Sequence, residues 1–339
     1  MSKITYLFGA GASCKALPIV KGIPDRLQHL ISLLESEQML LSNEEHFLDI
    51  SDIEKKPQNT KQKYQIDLID NLRWLQQESK RHASIDTFAK KLTIKGDTDE
   101  LEKLKIGLSV FFTFEQVQNP IDPRYDTFFA SILNSDKKLP NNMRILSWNY
   151  DYQFEIALSE YINFQNEITA AKSFLRENSK NRQYIGGDEF GMFKLNGTTH
   201  FYDYYGNIKA YSNSFKREID SDLIEEITRN YAFIKEPHGC KSALSFAWEP
   251  DEQQNIQYTI NETVETKILV IIGYSFPFFN REIDKKLFES MNIQKVYVQD
   301  PNANAIIERF KATKGLVRGI DFISIDDTEQ FFLPHELEL

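Results

Sequence analysis

Apolar residues and glycines alternate along the chain in a way that predicts strand–turn–helix units. The β-branched and aromatic run 4–8 leads directly into the glycine-containing segment 9–13, as expected for a buried strand that ends in a tight turn. Beyond the turn, Leu27, Leu30 and Leu34 recur at helical spacing and predict a helix over 24–34. A strand, a glycine turn and a helix in this order are typical of the start of a nucleotide-binding α/β unit.

The same alternation returns in the second half of the chain. Further strands are predicted at 143–148, 191–195, 267–272 and 295–299, and further helices at 154–161, 281–290 and 303–312. Strands that alternate with helices are joined by right-handed crossovers and form a parallel sheet. We therefore predict an α/β fold, a Rossmann-like parallel sheet with helices on both faces and an inserted helical module.

The inserted module is predicted at 36–140, within a single α/β domain that spans 1–339. Charged residues and glutamine become frequent there, a polar tract covers 52–63, and apolar positions repeat at helical spacing. Ser84 is predicted to cap one of these helices, and Asp122-Pro123 is predicted to help end the module. Residues 202–257 show no clear pattern apart from an acidic helix near 220–231.

The composition of the chain argues against several classes of protein. The 339 residues include 40 Lys plus Arg and 50 Asp plus Glu, and the resulting net charge of −10 argues against direct nucleic-acid binding. Apolar runs fall well short of the roughly 18–20 residues that cross a bilayer, so we expect no membrane segment and no secretory signal. Cys14 and Cys240 are the only cysteines, which fits a reducing, cytoplasmic setting without disulfides.

Common catalytic motifs are missing from the sequence. The six histidines show no HExxH spacing, and the GxSxG motif of serine hydrolases does not occur. We therefore expect neither a metal site nor a serine nucleophile. Cys14 follows the glycine turn, and we interpret it as a small residue of the core.

The glycine turn is the first candidate binding element. Gly9 and Gly11 allow the backbone to approach an anion, and a helix that starts there points N–H groups at a diphosphate. An isolated GxG motif more often forms a turn without a ligand. The position of this one directly after the first strand shifts the interpretation towards nucleotide binding.

Polar residues follow three other predicted strands. Asn149 and Asp151 are two residues apart and share a face of an extended chain, where they can hold a ribose hydroxyl, a water or a carboxamide, or cap the next helix. Gly273 and Ser275 can bind phosphate or ribose, or simply form a turn. Asp300 can accept from ribose hydroxyls or cap the helix after it.

Four segments, FGAGAS (8–13), SWNYD (147–151), KLNGT (194–198) and IIGYSF (271–276), occur in the order seen in sirtuin-like proteins. The chain resembles the divergent prokaryotic branch of this silent-information-regulator family, whose members include NAD-hydrolysing effectors of anti-phage defence. SIDTF (84–88) resembles a segment in the helical insertion of that branch, so the likeness spans 3 to about 312. The zinc-ribbon cysteines of the family are missing, which counts against protein deacetylation.

The resemblance implies roles for particular residues. Asn149 would position water or ribose near the scissile carbon, and Asp151 would face the nicotinamide carboxamide. The residues implied to cradle the NAD diphosphate are Gly9, Ala10, Gly11 and Ser13. Those implied to line the adenosine half are Gly273, Ser275 and Asp300.

One departure from the family motif concerns catalysis. The family has KLHGS, whereas this chain has Asn196 in place of the histidine, and asparagine cannot take up a proton at neutral pH. His200 would lie roughly 13 Å further along the strand, and we expect it to be a surface or packing residue. General-base help is worth about 10²- to 10⁴-fold, so we expect a slow or partner-activated NAD hydrolase in which Asn196 keeps a ribose hydrogen bond.

The resemblance also implies a biological setting. NAD hydrolysis to nicotinamide and ADP-ribose would make the protein a NAD-depleting effector of anti-phage defence. The alternative is a catalytically impaired subunit that binds NAD or another nucleotide and regulates or scaffolds a defence complex. Residues 316–339 are too few for a sensor domain, so we expect a separate sensor or activator protein, such as a defence ATPase or a short Argonaute-type protein. The family likeness further implies a homo-oligomer.

Overall fold

The computed structural model of the protein describes residues 3–46, 60–162, 167–178, 189–202, 208–209, 219–235, 241–315 and 317–337. The α-helices are α1 (Ile23–Leu34), α2 (Lys61–Arg81), α3 (Ile85–Lys95), α4 (Thr98–Gln118), α5 (Pro123–Ile132), α6 (Gln153–Ser159), α7 (Glu167–Phe174), α8 (Ser221–Lys235), α9 (Gln253–Thr263), α10 (Arg281–Ser290) and α11 (Ala303–Lys314). The strands are β1 (Lys3–Phe8), β2 (Met143–Ser147), β3 (Glu177–Asn178), β4 (Gly191–Lys194), β5 (Gly197–Tyr202), β6 (Ile208–Lys209), β7 (Lys241–Leu244), β8 (Thr266–Ile272), β9 (Lys295–Gln299) and β10 (Asp321–Ile325). Across these residues, every helix is too short or too polar to cross a membrane.

The chain divides into two compact units. The sheet unit comprises Met1–Ala16, Ile121–Thr198 and Ser245–Leu339, and the helical unit comprises Leu17–Pro120 and Thr199–Leu244. Of the insertion predicted at 36–140, residues 36–120 fall in the helical unit and the rest in the sheet unit. Both units are therefore built from segments that are distant in sequence.

The sheet unit contains a seven-stranded sheet of order β10-β9-β8-β1-β2-β4-β3. All of its neighbouring strands run parallel. From β1, the chain first builds the sheet outward through β2 and β4, and later returns to build the other side through β8, β9 and β10. This reversal beside β1 is the arrangement of doubly wound nucleotide-binding sheets. The predicted Rossmann-like parallel sheet is confirmed.

Helices cover both faces of the sheet, as predicted. Ile4, Tyr6 and Phe8 of β1 point into one apolar core, which also contains residues of α5, α6 and α7. Leu7 points into a second core with residues of α9, α10 and α11. Successive side chains of a strand face opposite sides, so one short apolar strand serves both cores.

The carboxyl ends of five neighbouring strands lie level with one another. Phe8 pairs with Ser147 on one side and with Ile272 on the other. In the same row, Ser147 pairs with Lys194, and Ile272 pairs with Gln299. Since the strands are parallel, the segments that follow these residues all leave from one edge of the sheet.

Helix α5 begins at Asp122-Pro123, which was predicted to help end the inserted module, and the first segment of the helical unit ends just before it at Pro120. Asp122-Pro123 was expected to break the chain, but Pro123 is the first residue of α5, and Asp122 Oδ1 accepts a bond from the Arg124 N–H at 3.1 Å. Proline is favoured at the first helical position because the N–H it lacks has no partner inside the helix. Although α5 falls within the predicted insertion, Tyr125 and Phe128 lie in the core of the sheet unit.

The helical unit contains α1–α4 and α8, together with β6, β7 and β5 from residue 199 onwards, three strands that form a sheet of order β6-β5-β7. Helices α2, α3 and α4 begin at polar caps, where the side chains of Thr60, Ser84 and Asp97 accept bonds from backbone N–H groups. The predicted cap at Ser84 is confirmed, since its Oγ accepts from the Thr87 N–H at 3.1 Å. Residues 52–59 of the predicted polar tract lie outside the described residues.

Candidate active site at the carboxyl ends of the parallel strands

Each candidate residue predicted from the sequence follows one of the five level strand ends. Gly9 to Ser13 follow β1, Asn149 and Asp151 follow β2, and Asn196 follows β4. Gly273 and Ser275 follow β8, and Asp300 follows β9. Ligands of doubly wound sheets bind at this edge, near the point where the strand order reverses.

The glycine turn after β1 packs directly against the segment after β8. Gly11 N–H donates to the Gly273 oxygen at 3.0 Å, and Gly9 N–H donates to the Ile272 oxygen at 3.0 Å. A methyl group on Gly9 would lie 2.6 Å from the Gly273 oxygen. These glycines therefore allow two backbone segments to approach each other closely.

The helix expected directly after the turn is replaced by a short 3₁₀ turn, Ala10–Ser13, and α1 begins only at Ile23. Ala12 N–H donates to the Gly9 oxygen at 2.9 Å, so this N–H is used within the turn itself. Ala10 is exposed. The expected row of unpaired N–H groups is thus reduced, and diphosphate binding at this turn stays a prediction.

Ser13 joins Asn149 and Asp151, the two candidate residues of the segment between β2 and α6, which we call the β2 loop. Its hydroxyl donates to Asp151 Oδ2 at 2.8 Å and accepts from Asn149 Nδ2 at 3.3 Å. Tyr125 OH lies 2.8 Å from Ser13 Oγ. Because Ser13 donates its proton to Asp151, Tyr125 is the donor in this contact. Asn149 Nδ2 also donates to the Gly9 oxygen at 3.0 Å. The glycine turn, Asn149 and Asp151 therefore form one connected polar network, which we call the Ser13 network.

Burial has the largest effect on the pKa values of Asp151 and Tyr125 in this network. Ser13 and Asp151 are 2% and 5% exposed. Burial raises the pKa of Asp151, while Lys194 and the hydrogen bond from Ser13 act in the opposite direction. Burial, followed by the nearby Asp151, also raises the pKa of Tyr125 well above its usual range, so Tyr125 is a neutral donor here.

Asp151 lies one residue before Tyr152, the N-cap residue of α6, and bonds the first N–H of that helix. Its Oδ1 accepts from the Gln153 N–H at 3.1 Å, at the first residue of α6. Carboxylates favour such positions because they pair with unused N–H groups and with the positive end of the helix dipole. The Asp151 carboxylate thus uses one oxygen for the first N–H of α6 and the other for the Ser13 network.

Asn196 binds backbone rather than the Ser13 network. Its Nδ2 donates to the Trp148 oxygen at 3.0 Å, and its Oδ1 accepts from the Ala247 N–H at 3.3 Å. An amide supplies a donor and an acceptor at the same time, which suits this bridge between two segments. His200, further along β5, is buried, in agreement with a packing role.

The segments after β8 and β9 differ in how they use their polar groups. Ser275 is exposed, and its backbone oxygen accepts from Arg309 at 2.8 Å. Asp300 Oδ1 accepts from the Asn302 N–H at 2.8 Å, immediately before α11. Asp300 therefore forms a turn just before α11, whose N-cap residue is Asn302, and a contact with ribose stays a prediction.

The comparisons with known proteins assign the chain to no family. No protein-family model matches the chain, and no curated protein matches it. Within the described residues, no group of three or more His, Cys, Asp or Glu side chains is placed to hold a metal ion. Function is therefore inferred from the chemistry of the strand-end residues.

Arg124 is a site residue that the sequence did not indicate. Its guanidinium forms a two-point ion pair with Asp122 and donates to the Ala12 oxygen at 3.0 Å. It also lies 3.6 Å from the sulfur of Cys14, which is exposed, so the interpretation of Cys14 as a core residue is wrong. Arg124, at the start of α5, thus holds the glycine turn in place by donating to the main-chain oxygen of Ala12.

A second buried polar group lies beneath the segment after β8. Tyr274 OH donates to Asp284 Oδ2 at 2.8 Å and accepts from Asn280 Nδ2 at 3.1 Å. The Tyr274 ring stacks on Trp148, with centroids 5.8 Å apart and planes 11° from parallel. This contact joins the segment after β8 to the segment that carries Asn149.

The buried Asp284 predicts a pH dependence of stability. Burial raises its pKa from 3.8 to about 8, against the hydrogen bond from Tyr274. Folding therefore favours the protonated carboxyl, whose stabilising contribution is complete below pH 3.8 and is lost as the pH rises to about 8. The slope reaches at most ~1.4 kcal/mol per pH unit.

We expect Asp284→Asn to remove this part of the pH dependence. In urea unfolding between about pH 5 and 8, the free energy of unfolding should fall less steeply for the variant than for the wild type. Taking the difference between the two proteins cancels the groups they share. Parallel pH curves would show that Asp284 titrates alike in the folded and unfolded chains.

Proposed function

We propose that this protein hydrolyses NAD to nicotinamide and ADP-ribose at the carboxyl edge of the sheet. The observation that carries the proposal is the Ser13 network, which brings Asn149 and Asp151 together beside the glycine turn. The strand order supports it, because dinucleotides bind where such sheets reverse direction. The sirtuin-like order of the four segments supplies the substrate class.

The reaction breaks the bond between the ribose C1′ and the nicotinamide nitrogen. The electron pair of that bond neutralises the pyridinium, so nicotinamide leaves without needing a proton. A water oxygen bonds to C1′ and releases one of its two protons to the solvent, which completes ADP-ribose. Because the leaving group is already good, orientation and electrostatics can supply much of the rate without a general base.

Asn149 is the residue we assign to the water or the ribose. Its amide nitrogen is committed to Gly9 and Ser13, so its Oδ1 is the atom that can accept from an attacking water or a ribose hydroxyl. Held by two donor contacts, the side chain is pre-oriented. The carboxylate of Asp151, behind Ser13, supplies negative charge that favours the oxocarbenium-like transition state.

Nicotinamide release tests the proposal directly. Purified protein is incubated with NAD, alone and with candidate partner proteins from the same defence setting, and nicotinamide and ADP-ribose are quantified by chromatography. We expect the two products in equal amounts, with a slow rate for the protein alone. The absence of both products under every condition would contradict the proposed activity.

A second candidate function is an NAD-binding subunit without hydrolytic activity. The observation that favours it is Asn196, which replaces the family histidine and has both its donor and its acceptor engaged with backbone. Such a subunit would regulate or scaffold a defence complex. Calorimetric binding of NAD without nicotinamide release would support this function over the first.

A further inference from the structure

Lys194, the last residue of β4, is fully buried and joins the β2 loop to α6. Its ammonium nitrogen lies 2.5 Å from the main-chain oxygen of Asp151 and 3.2 Å from Glu155 Oε1. Both side chains of the ion pair have no exposed surface. One ammonium group therefore binds the loop that carries the candidate site and the helix that follows it.

Lys194 and Glu155 belong to a larger buried group of charges. Lys172 lies 3.4 Å from Glu177 Oε1, and both are at most 2% exposed. The two lysines lie over the ring of Tyr152, at 4.7 Å for Lys172 and 5.7 Å for Lys194. Burial raises the pKa of Glu155, Lys194 opposes this rise, and Glu177 adds to it.

Such a group is difficult to explain by stability alone. Removing two charges from water costs several kcal/mol, and apolar side chains of similar size often stabilise a fold equally well or better. Buried ion pairs do, however, fix the relative positions of the segments that they join. Here one of the bonds ends on the backbone of Asp151.

The contacts lead from Lys194 to Asn149 in a few steps. The ammonium holds the Asp151 main chain, the Asp151 carboxylate accepts from Ser13, and Ser13 accepts from Asn149. A shift of the Asp151 main chain would therefore move the whole Ser13 network. Misplacing reacting groups by about 1 Å can cost 10²-fold in rate.

We propose that Lys194 is a positioning residue of this site, which holds the Asp151 main chain and thereby keeps Asn149 and Ser13 in their reactive arrangement. Its effect on catalysis rests on the proposed NAD hydrolysis. Its effect on the loop does not, because the contacts that hold the loop are independent of any substrate.

The test compares three variants of the full-length protein. Lys194→Met combined with Glu155→Gln removes the bond to Asp151 without leaving a buried carboxylate unpaired. Glu155→Gln alone removes the ion pair but keeps the bond from Lys194 to Asp151. Lys172→Met is the control, because it removes an equally buried ammonium of the same group. It leaves Glu177 unpaired and is therefore the more disruptive change, so an unchanged kcat in this variant is a strict comparison. Should the double variant not fold, Lys194→Met with Glu155→Leu serves the same comparison.

Two readouts separate positioning from a structural role. We expect the double variant to lower kcat for nicotinamide release by about 10²-fold and to leave KM within about threefold. We expect Glu155→Gln and Lys172→Met to stay within about threefold of the wild-type kcat. Hydrogen exchange at the backbone amides of Asn149 and Gln153 should accelerate in the double variant alone. In the wild type, the Asn149 N–H donates to Ser147 Oγ and the Gln153 N–H donates to Asp151 Oδ1.

Wild-type kcat and wild-type exchange in the double variant would overturn the proposal. An equal loss in Lys172→Met would do the same, since it would show that any change in this buried group is sufficient. If the wild type releases no nicotinamide, the proposed hydrolysis fails on its own, and the exchange at Asn149 and Gln153 still decides whether Lys194 positions the loop.

Discussion

Replacing Gly273 by alanine is expected to destabilise the protein by about 3 kcal/mol or more in urea unfolding. Two costs add. The residue has φ +60°, a left-handed conformation that costs a residue with a side chain roughly 1–2 kcal/mol. The new methyl group would also lie 2.5 Å from both Ala12 N and Gly11 C, where overpacking costs about 1–3 kcal/mol. Both contacts are with backbone, which cannot move aside as a flexible side chain can.

Two other glycines of the same unit separate these costs. Gly319 has φ +78°, and a methyl group there would meet nothing within 4 Å, so Gly319→Ala carries the conformational cost alone. Gly9 has φ −118°, and a methyl group there would lie 2.6 Å from the Gly273 oxygen, so Gly9→Ala carries the steric cost alone. If Gly273→Ala costs no more than Gly319→Ala, the two backbone segments are not in contact.

The close packing at Gly273 changes what the glycine motif means. From the sequence, Gly9 and Gly11 had two interpretations, an anion cradle or a tight turn. The structure adds a third, close contact between the segments after β1 and β8. Loss of activity in variants of Gly9 or Gly11 would therefore reflect damage to the fold as much as loss of a ligand. Side-chain variants of the Ser13 network are better tests of function.

The sheet could be predicted because strands buried on both faces are wholly apolar. The bounds of β9 agree with the prediction, and those of β1, β2, β4 and β8 differ by one residue at one end. The strand β10 was missed because it lies at the sheet edge, is partly exposed throughout, and includes polar residues. An edge strand lacks the apolar run that marks the central ones.

The candidate site could be predicted only where local spacing determines geometry. Asn149 and Asp151 are two residues apart after a strand, and both do reach Ser13. Lys194 was missed because its partners, Asp151 and Glu155, lie on other elements. Arg124 pairs locally with Asp122, but its contact with the Ala12 oxygen, 112 residues away in sequence, could not be predicted. A buried charge leaves no periodic pattern in a sequence, so only the folded chain shows what it binds.

Replacing Asn149 by alanine is expected to lower kcat for nicotinamide release by about 10²- to 10³-fold, as found when one pre-oriented hydrogen-bonding group is removed from an active site. The change deletes the Oδ1 that we assign to the water or ribose, and it frees Ser13 from one of its donors. NAD affinity should change much less, because this contact is expected to act mainly in the transition state. Quench-flow or steady-state measurement of nicotinamide, paired with NAD binding by calorimetry, separates the two effects.

Asn292→Ala is the matched control for this variant. Asn292 likewise donates its amide to a main-chain oxygen, that of Val264 at 3.1 Å, but it precedes β9 and so lies at the opposite, amino-terminal edge of the sheet. Asn149→Ala removes two amide donor contacts and Asn292→Ala removes one, so a kcat that falls by orders of magnitude in the first variant alone belongs to the site. Equal activity of the two variants would remove Asn149 from the mechanism. Binding of NAD without hydrolysis by the wild type and both variants would instead favour the regulatory subunit, in which the same network holds the dinucleotide without cleaving it.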